Sequence, residues 1–417
     1  MFSFSSMAQL TLGTQVRPRA EFRNGFKTLS DEDRSPAFFI EQRARLFADY
    51  NVEKFRVRIN FQDVRIWGST NQIFKTDSNV VTNVYEAWGL YRFSDTWSFK
   101  VGRMAWDYDN ARFLGDLRWA AQSRSHDGLV FSYKNSTNNW QVDLGGAFNQ
   151  VGFEPGILTK TFYSGVNNYK TNQFLYINKK LENAKLSLLI HNDGRQLQAD
   201  SSLAMRQTYG LIGTGNIGDV GVGGELYYQG GKNASDVDVN AFLISAYVKL
   251  NTAITPITIG FDYLSGTSIN DTEDNSFNPL YGTNHKFYGY MDYFYVGNAH
   301  GQGGNIAGLL DVHLKTKFKT GERSSLATNT HVFQSTASLY DPIDTSQGKS
   351  KYLGTEVDLV YTLKMEEYVK LNIGYSQMFA GSSMELVKAA PGDSGAFNNW
   401  VWVMLDFNPS VIVKEFS

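Results

Sequence analysis

Alternation of polar and apolar residues with a period of two is the feature that most limits how this chain can fold. In VRPRAEFR, residues 16–23, charged side chains occupy the odd positions and uncharged ones the even positions. An extended strand sends successive side chains to opposite faces, so one face of this stretch is charged and the other apolar. The same alternation recurs in KFRVRINFQ at 54–62, LLDVHLKTKFK at 309–319 and TEVDLVYTLK at 355–364.

About eighteen such segments are separated by connectors that alternate between short and long. Eight short connectors, such as NVE and GER, alternate with nine longer ones that are polar and rich in Gly, Asn and Asp. The long connectors fall near 24–37, 67–82, 104–123, 150–171, 193–201, 230–236, 267–306, 339–350 and 382–397. Short turns at one end and long loops at the other are typical of outer-membrane barrels. The sequence therefore predicts an all-β fold, a transmembrane antiparallel up-and-down β-barrel of about eighteen strands with a polar lumen.

Two soluble all-β folds explain the alternation less completely. A β-sandwich accounts for alternating faces but not for the rhythm of the connectors. A propeller would show a repeat of about 40–50 residues, which the sequence lacks. In a barrel the apolar face meets lipid and the charged face surrounds water, because eighteen strands enclose an aqueous interior.

Composition narrows the class and the compartment. The 417 residues carry a net charge of −2 and no cysteine. The charge excludes a generally basic nucleic-acid binder, and the lack of cysteine fits an oxidising compartment. The first residues, MFSFSSMAQ, resemble the end of a secretory signal with cleavage before Gln9. We interpret residues 1–8 as a residual signal-peptide segment and 9–417 as a single barrel domain in the outer membrane of a Gram-negative-type bacterium.

Arginine is distributed unevenly along the chain. Fourteen of the 17 arginines lie at or before position 124, whereas lysine is spread throughout. Guanidinium groups bind carboxylate and phosphate in a planar, two-pronged manner. One interpretation is an anion-biased pore in which adjacent arginines hand an acidic sugar along through weak, repeated contacts. The other is an internal salt-bridge network that braces the barrel wall, and both can hold at once.

Several motifs, taken together, resemble the alginate-export family of bacterial outer-membrane barrels. They are the Arg-x-Arg-x-Glu-x-Arg run at 17–23, EQRARL at 41–46, FQDVRIWG at 61–68, EAW at 86–88, KVGRMAWDYDNARFLGDLRW at 100–119, RSHDG at 124–128 and YGTNHKFYGYMDYFY at 281–295. The resemblance implies eighteen strands and a channel for an anionic polysaccharide or small solutes, narrowed by arginines with interspersed acids. It does not distinguish export from uptake, and alginate itself is not readable from these residues.

Carried over by motif position, the resemblance also implies a set of pore-lining residues. They are Arg17, Arg19, Glu21, Arg23, Glu41, Arg43, Arg45, Arg56, Arg58, Arg65, Glu86, Arg103, Asp109, Arg112, Arg124 and Asp127. The leading hypothesis is a porin for passive passage of anionic or saccharide solutes, with an acidic polysaccharide such as alginate as one candidate. The alternative is a largely closed barrel that serves as a structural or docking partner in the cell envelope. Expected partners are outer-membrane lipids and an anionic sugar or small solute, without nucleic acid.

Three local features carry their own expectations. Residues 104–123 are too many for a turn and either fold inward to narrow the pore or pack outside as a loop. Residues 267–306 either cap the outer mouth or form an ordinary solvated loop. Pro18 cannot donate to a ladder, so a bulge or a locally missing hydrogen bond is expected there.

Tryptophans and tyrosines near predicted strand ends favour interfacial girdles over sugar-stacking platforms in the lumen. They are Trp67, Trp88, Trp97, Trp140, Trp400, Trp402, Tyr50, Tyr85 and Tyr91.

The sequence predicts no enzyme activity, no cofactor and no metal. In RSHDG, residues 124–128, Ser125, His126 and Asp127 are consecutive and on a strand would point to opposite faces, so they cannot form a triad. The acidic stretch NDTEDN at 270–275 lacks the spacing and the glycine of a calcium loop. The six histidines, at 126, 191, 285, 300, 313 and 331, show no paired metal-ligand spacing.

Overall fold

The computed structural model describes residues 8–70, 81–150, 163, 168–388 and 392–416. One antiparallel sheet of eighteen strands dominates them. The strands are β1 (Ala8–Asn24), β2 (Ala37–Asn51), β3 (Phe55–Ile66), β4 (Val81–Arg92), β5 (Trp97–Met104), β6 (His126–Asn135), β7 (Trp140–Phe148), β8 (Thr171–Lys180), β9 (Ala184–Gln196), β10 (Leu203–Ile217), β11 (Val220–Lys232), β12 (Asp238–Asn251), β13 (Pro256–Leu264), β14 (Leu309–Lys319), β15 (Ser324–Gln334), β16 (Tyr352–Glu366), β17 (Val369–Ala380) and β18 (Asn398–Phe407, continued by Ser410–Phe416). The prediction of an eighteen-stranded antiparallel barrel is confirmed.

In the described part of the chain, elements outside the barrel wall are few and short. Leu339–Tyr340 and Gly348–Lys349 form a separate two-stranded hairpin in the connector after β15. A 3-10 turn covers Asn284–Lys286, and one helix, α1, covers Ser383–Val387. Across the described residues, no helix combines the length and the hydropathy needed to cross a membrane.

The sheet closes on itself because β1 pairs with both its sequence neighbour and the last strand. On one side Arg17 lies opposite Arg43 of β2, and on the other Ala20 lies opposite Val403 of β18. Closure removes the free strand edges that would otherwise expose unpaired backbone groups to lipid.

Side chains divide between the two faces as the alternation predicts. Val57, Leu359 and Val403 point outward and are 41 %, 37 % and 42 % exposed, whereas Arg43 is 3 % exposed. Large exposed apolar side chains continue along strand after strand, including Leu144, Leu211 and Ile259. A soluble protein rarely exposes such a continuous apolar surface, whereas a bilayer requires it.

Prolines interrupt the ladder at two places. Residues 16 and 19 of β1 pair with 407 and 404 of β18, but residues 17 and 18 between them have no partners there, which confirms the missing hydrogen bond expected at Pro18. Pro409 divides β18, and its carbonyl accepts a hydrogen bond from the backbone N–H of Thr14 at 3.0 Å. Both interruptions follow from the missing proline N–H.

The aromatic residues separate into two groups. Trp67, Trp97, Trp140 and Tyr91 are exposed near strand ends, as expected for an interfacial girdle. The girdle prediction is wrong for four others, which are buried on the lumen side: Trp88, Trp400, Trp402 and Tyr85. Sequence position near a strand end did not reveal which face each ring would occupy.

Candidate pore constriction

Two connectors on the long-loop side fold into the barrel and meet there. We call residues 105–125, between β5 and β6, the constriction segment, and residues 265–308, between β13 and β14, the inner loop. The backbone N–H of Gly115 donates to the carbonyl of Tyr281 at 2.9 Å, and that of Thr283 donates to the carbonyl of Ala111 at 2.8 Å. Leu114 and Tyr281 form a parallel bridge. The first segment folds inward rather than packing outside the barrel, and the inner loop lies within the lumen as well.

The constriction segment reaches the wall formed by β8 and β9 through Asp109. Its carboxylate accepts hydrogen bonds from Tyr176 at 3.0 Å and Ser187 at 2.8 Å, and it forms a salt bridge with Lys185 at 2.6 Å. Asp109 therefore lies in the lumen, where it holds one edge of the segment in place.

Arg112 connects the same segment to β11, β12 and β13. Its guanidinium lies 2.7 Å from Asp262, 3.4 Å from Glu225 and 3.1 Å from the Ser245 hydroxyl. Burial alone would lower the pKa of Arg112, but the carboxylates of Asp262 and Glu225 raise it well above its usual value. The group is a fixed, fully compensated charge, unlike a free anion site.

Arginines of β1 and β2 bind the backbone of the constriction segment from the opposite wall. Arg17 donates to the carbonyls of Arg118 at 2.7 Å and Trp119 at 2.8 Å. Arg43 donates to three carbonyls between residues 118 and 121 at 3.2–3.3 Å, and to the Ser123 hydroxyl at 3.1 Å. The N–H groups of these guanidiniums are therefore mostly hydrogen-bonded to the protein's own backbone and not to a solute.

The ring of Trp119 lies where the two inward segments meet. It stacks on His285 of the inner loop with ring centroids 4.7 Å apart, and Arg19 lies over it at 4.4 Å. Trp402 of β18 packs edge-on at 4.8 Å. Stacking and cation–π contacts of this kind fix the height of the constriction in the barrel.

The other lumen-facing charges of β1 to β4 form ion pairs among themselves. Glu21 binds Arg19 at 2.7 Å and Arg23 at 2.8 Å, and Arg19 also binds Glu41 at 2.8 Å. Arg56 and Arg58 share Asp49 at 2.7 and 3.0 Å.

Two further members of the expected set lie beside this network. Arg58 also reaches Glu86 at 3.0 Å. Arg45 donates to Gln62 at 2.8 Å and to Ser123 at 2.8 Å. The bracing interpretation therefore has direct geometric support.

Three residues expected in the pore lie on the other face of their strands. Arg65 pairs in register with Gln42, and its guanidinium binds Asp63 at 2.5 Å. Arg103 and Asp127 bind each other at 2.6 Å and alternate with Met104 and His126, which are buried inward. Because they lie at the strand ends next to the long loops, their side chains also border a cavity of about 440 Å³ that His126 and Tyr281 line. The period of two within β3, β5 and β6 already indicated this, because the three residues are out of phase with their lumen-facing neighbours.

Arg124 lies at the base of the constriction segment and joins it to the inner loop. It donates to the carbonyls of Gly115 at 3.3 Å and Gly282 at 3.1 Å. Burial lowers its pKa to about 10. Its side chain also borders the larger of two cavities on either side of the constriction.

The larger cavity, of about 600 Å³, opens among the long loops. Its cations are Lys27, Arg124 and Arg195, and no carboxylate lines it among the described residues. The smaller cavity, of about 430 Å³, lies toward the short turns and contains Asp107, Asp109, Asp143 and four cations: Arg56, Lys100, Lys134 and Lys185. Sequence reasoning missed these lysines because it followed arginine alone.

Arg118 has the most accessible guanidinium of the constriction segment. Its side chain is 75 % exposed, although it contacts Asp116. Its carbonyl is fixed by Arg17 and Arg43, so the backbone is held while the side chain remains in the open space.

A closed eighteen-stranded barrel with an apolar exterior, a charged lumen and inward-folded connectors defines an outer-membrane protein of the porin class. The family model described as Alginate export matches residues 8–397, and the chain belongs to that family. The resemblance seen in the sequence and the outer-membrane location are thereby confirmed.

Solved structures share the fold at low sequence identity. OccD3 (OpdP) of Pseudomonas aeruginosa is 12 % identical with a TM-score of 0.63, over 97 % of this chain and 91 % of that one. OpdK of P. aeruginosa, solved with vanillate, is 9 % identical with a TM-score of 0.60, over 96 % and 99 %. OccK2 (OpdF) of P. aeruginosa, solved with glucuronate, is 13 % identical with a TM-score of 0.58, over 98 % of both chains. No curated protein sequence matches the chain.

Proposed function

We propose that this porin-class protein is a passive channel for small organic anions, carboxylated sugars in particular. The observation that carries the proposal is the charge of the two cavities. A solute starts in the larger cavity, where three cations and, among the described residues, no carboxylate line the wall. It then passes Arg118 and reaches Arg56, Lys100 and Lys134 in the smaller cavity. A series of weak cationic contacts speeds an anion without trapping it.

The lumen arginines divide, in this proposal, into two kinds of residue, and one of them, Arg118, was not in the expected set. Arg17 and Arg43 position the constriction segment, because their donors bind its carbonyls. Arg56 and Arg118 face the open spaces and contact the solute. The acids along the smaller cavity, such as Asp143, keep a carboxylate from remaining bound.

The chemistry of the solute follows from geometry and from the ligands of similar folds. Vanillate and glucuronate, the ligands named for OpdK and OccK2, each carry one carboxylate on a ring. Both inward segments narrow this lumen, which favours single rings or short acidic oligosaccharides threaded end-on. A uronate chain such as alginate presents the same group once per sugar and is the extended form of this proposal.

Planar-bilayer recording tests the proposal. In a KCl gradient, the wild-type protein should give a reversal potential whose sign indicates selectivity for chloride over potassium. Added glucuronate should reduce the chloride current more than added glucose does. Lys100→Gln with Arg118→Gln should move the reversal potential toward zero, because two cations that face the solute path are lost. Arg323→Gln is the matched control, since Arg323 lies in the short turn between β14 and β15 and its side chain is 65 % exposed. An unchanged reversal potential in the double variant would contradict the proposed path.

The second candidate function, a largely closed barrel that docks other envelope proteins, is favoured by one observation. Two inward segments joined by backbone hydrogen bonds cross the lumen. Conductance no greater than leak, in protein shown to be folded and inserted, would support this candidate over the channel.

A further inference from the structure

A compact group of buried histidine and carboxylate side chains lies on the lumen face of β14 and β15, away from the cavities. Asp311, His313 and His331 each bring one potential ligand atom within 4.8 Å of the others. His313 and His331 lie directly opposite each other across the strand pair, and Asp311 lies two residues before His313. The period of two places all three on one face, although the histidines are 18 positions apart in the sequence.

One nitrogen of each histidine lies near the same carboxylate oxygen of Asp311. His331 Nδ1 lies 2.9 Å from Asp311 Oδ2, and His313 Nδ1 lies 3.7 Å from the same oxygen. His313 is 8 % exposed, and its Nδ1 has no hydrogen-bond partner in the described part of the chain. Burying a nitrogen without a hydrogen-bond partner costs free energy. A role as a metal ligand would explain why His313 Nδ1 is buried in this way.

A second carboxylate stands behind the group. Asp358 Oδ2 lies 3.9 Å from His331 Nε2 and likewise has no hydrogen-bond partner within the described residues. The other oxygen of Asp358 accepts from the Ser376 hydroxyl at 2.5 Å, which fixes the carboxylate. Metal-bound histidines usually donate their second ring N–H to a carboxylate held in this way.

The surrounding wall leaves room for the His313 ring and places further acidic side chains beside the group. Gly260 of β13 lies opposite His313, and a Cβ at that position would come within 2.7 Å of His313 Nε2. Glu356 of β16 lies opposite His331 and is fully buried. With Asp311 and Asp358 it gives three buried carboxylates, while Lys315 is the next lumen-facing cation on β14.

We propose that this group is a binding site for a divalent transition metal of the zinc type. The ligands are His313 Nδ1, His331 Nδ1 and the Asp311 carboxylate, with a fourth position for water and with Asp358 orienting His331. Two imidazoles and one carboxylate suit zinc, whereas calcium and magnesium prefer oxygen ligands alone. The metal replaces the His331–Asp311 hydrogen bond and joins β14 to β15 from inside the barrel.

Metal binding is measured directly on the full chain without a polyhistidine tag. The protein is refolded into detergent with Zn²⁺ or Co²⁺, freed of loosely bound metal, and assayed by elemental analysis and by cobalt visible absorption. One metal per chain and an intense tetrahedral cobalt spectrum are expected. His313→Gln should weaken binding by about 100-fold or more, and Asp358→Asn by about 10- to 100-fold.

His191→Gln is the matched control, because His191 is a buried lumen-side histidine of β9 that bonds Asn172 at 3.0 Å and lies outside the group. It should bind metal as the wild type does. Should a variant fail to show the electrophoretic mobility of a folded barrel, the wild-type melting temperature with and without Zn²⁺ still tests the site, and a rise is expected. Less than one metal per wild-type chain, or equal affinity in His313→Gln, would overturn the proposal, and neither result depends on transport.

Discussion

The two sides of the lumen hold the inward segments by opposite chemistry. On the arginine wall, β1 to β3, guanidiniums donate to backbone carbonyls of the constriction segment, as Arg17 and Arg43 do. On the carboxylate wall, β11 to β16, acids accept from the inward segments: Asp262 from Arg112, and Glu356 from the Met291 N–H at 2.9 Å. The inward segments carry both donors and acceptors. Their carbonyl groups bind the arginine wall, and their N–H and guanidinium groups bind the carboxylate wall.

The comparison teaches that a charged lumen face is not by itself a binding face. Most guanidinium groups of the arginine wall bind other groups of the protein. The cations that remain accessible to a solute, such as Lys100 and Lys134, lie in the smaller cavity toward the short turns. A polar group fixed to the backbone narrows the pore, whereas an exposed one contacts what passes through it.

The largest effect is expected on the carboxylate wall. Arg112→Ala would leave Asp262 and Glu225 buried without their cation, and losing one partner of a buried pair costs about 3–5 kcal/mol. Denaturant unfolding of the inserted barrel, followed by tryptophan fluorescence, measures the loss. Combining Arg112→Met with Asp262→Asn and Glu225→Gln should recover much of it, and failure to recover would mean that the ion pairs are not the cause.

A smaller effect is expected on the arginine wall. Arg17→Ala with Arg43→Ala removes charged donors to carbonyls of the constriction segment, and water in the lumen can replace part of the lost hydrogen bonding. The barrel should remain folded while the segment moves, which gives a larger and noisier single-channel conductance. Arg65→Ala is the matched control, because Arg65 lies on the outer face. Equal conductance in the double variant and the control would show that the arginines do not position the segment.

The smallest effect is expected from acid acting on the inner loop. Burial lowers the pKa of His300 to about 3, so between about pH 6.5 and 3 the unfolded loop binds a proton that the folded loop does not. The contribution of neutral His300 to the free energy of unfolding of the inner loop is therefore fully present above pH 6.5. It decreases as the pH falls below 6.5, by at most about 1.4 kcal/mol per pH unit.

Amide exchange around residues 293–300, compared at pH 7.5 and pH 5 after correction for intrinsic rates, measures this change. Loss of protection at pH 5 is expected in the wild type and should be smaller in His300→Gln. Protection that is equal at both pH values would exclude His300 as the acid-sensitive group.

Much of the fold was predictable because its signals are local. Alternation predicted that Val57 faces outward and Arg43 faces inward. The count of alternating segments predicted the number of strands, and the alternation of short and long connectors predicted their up-and-down order. The same local rule conflicts with the positions that the resemblance assigned to Arg65, Arg103 and Asp127, and the structure follows the rule.

The candidate site was only partly predictable. Alternation tells which face a side chain takes, but not its height along the barrel or what crosses the lumen to meet it. Arg17 and Arg43 were singled out as lumen residues, but their carbonyl partners at 118–121 lie about 75–100 positions away in the sequence. The pairing of His313 with His331 required the register of β14 and β15, which no histidine spacing encodes.

The sequence alone determined that apolar side chains face lipid and charged ones face the lumen, because the direction of a side chain on a strand depends only on its position in an alternating pattern. The tertiary structure alone decided which charges are consumed by the protein itself and which remain for a solute or a metal. That choice depends on distances between groups far apart in the chain, and those distances exist only once the barrel is closed and its connectors are folded inside.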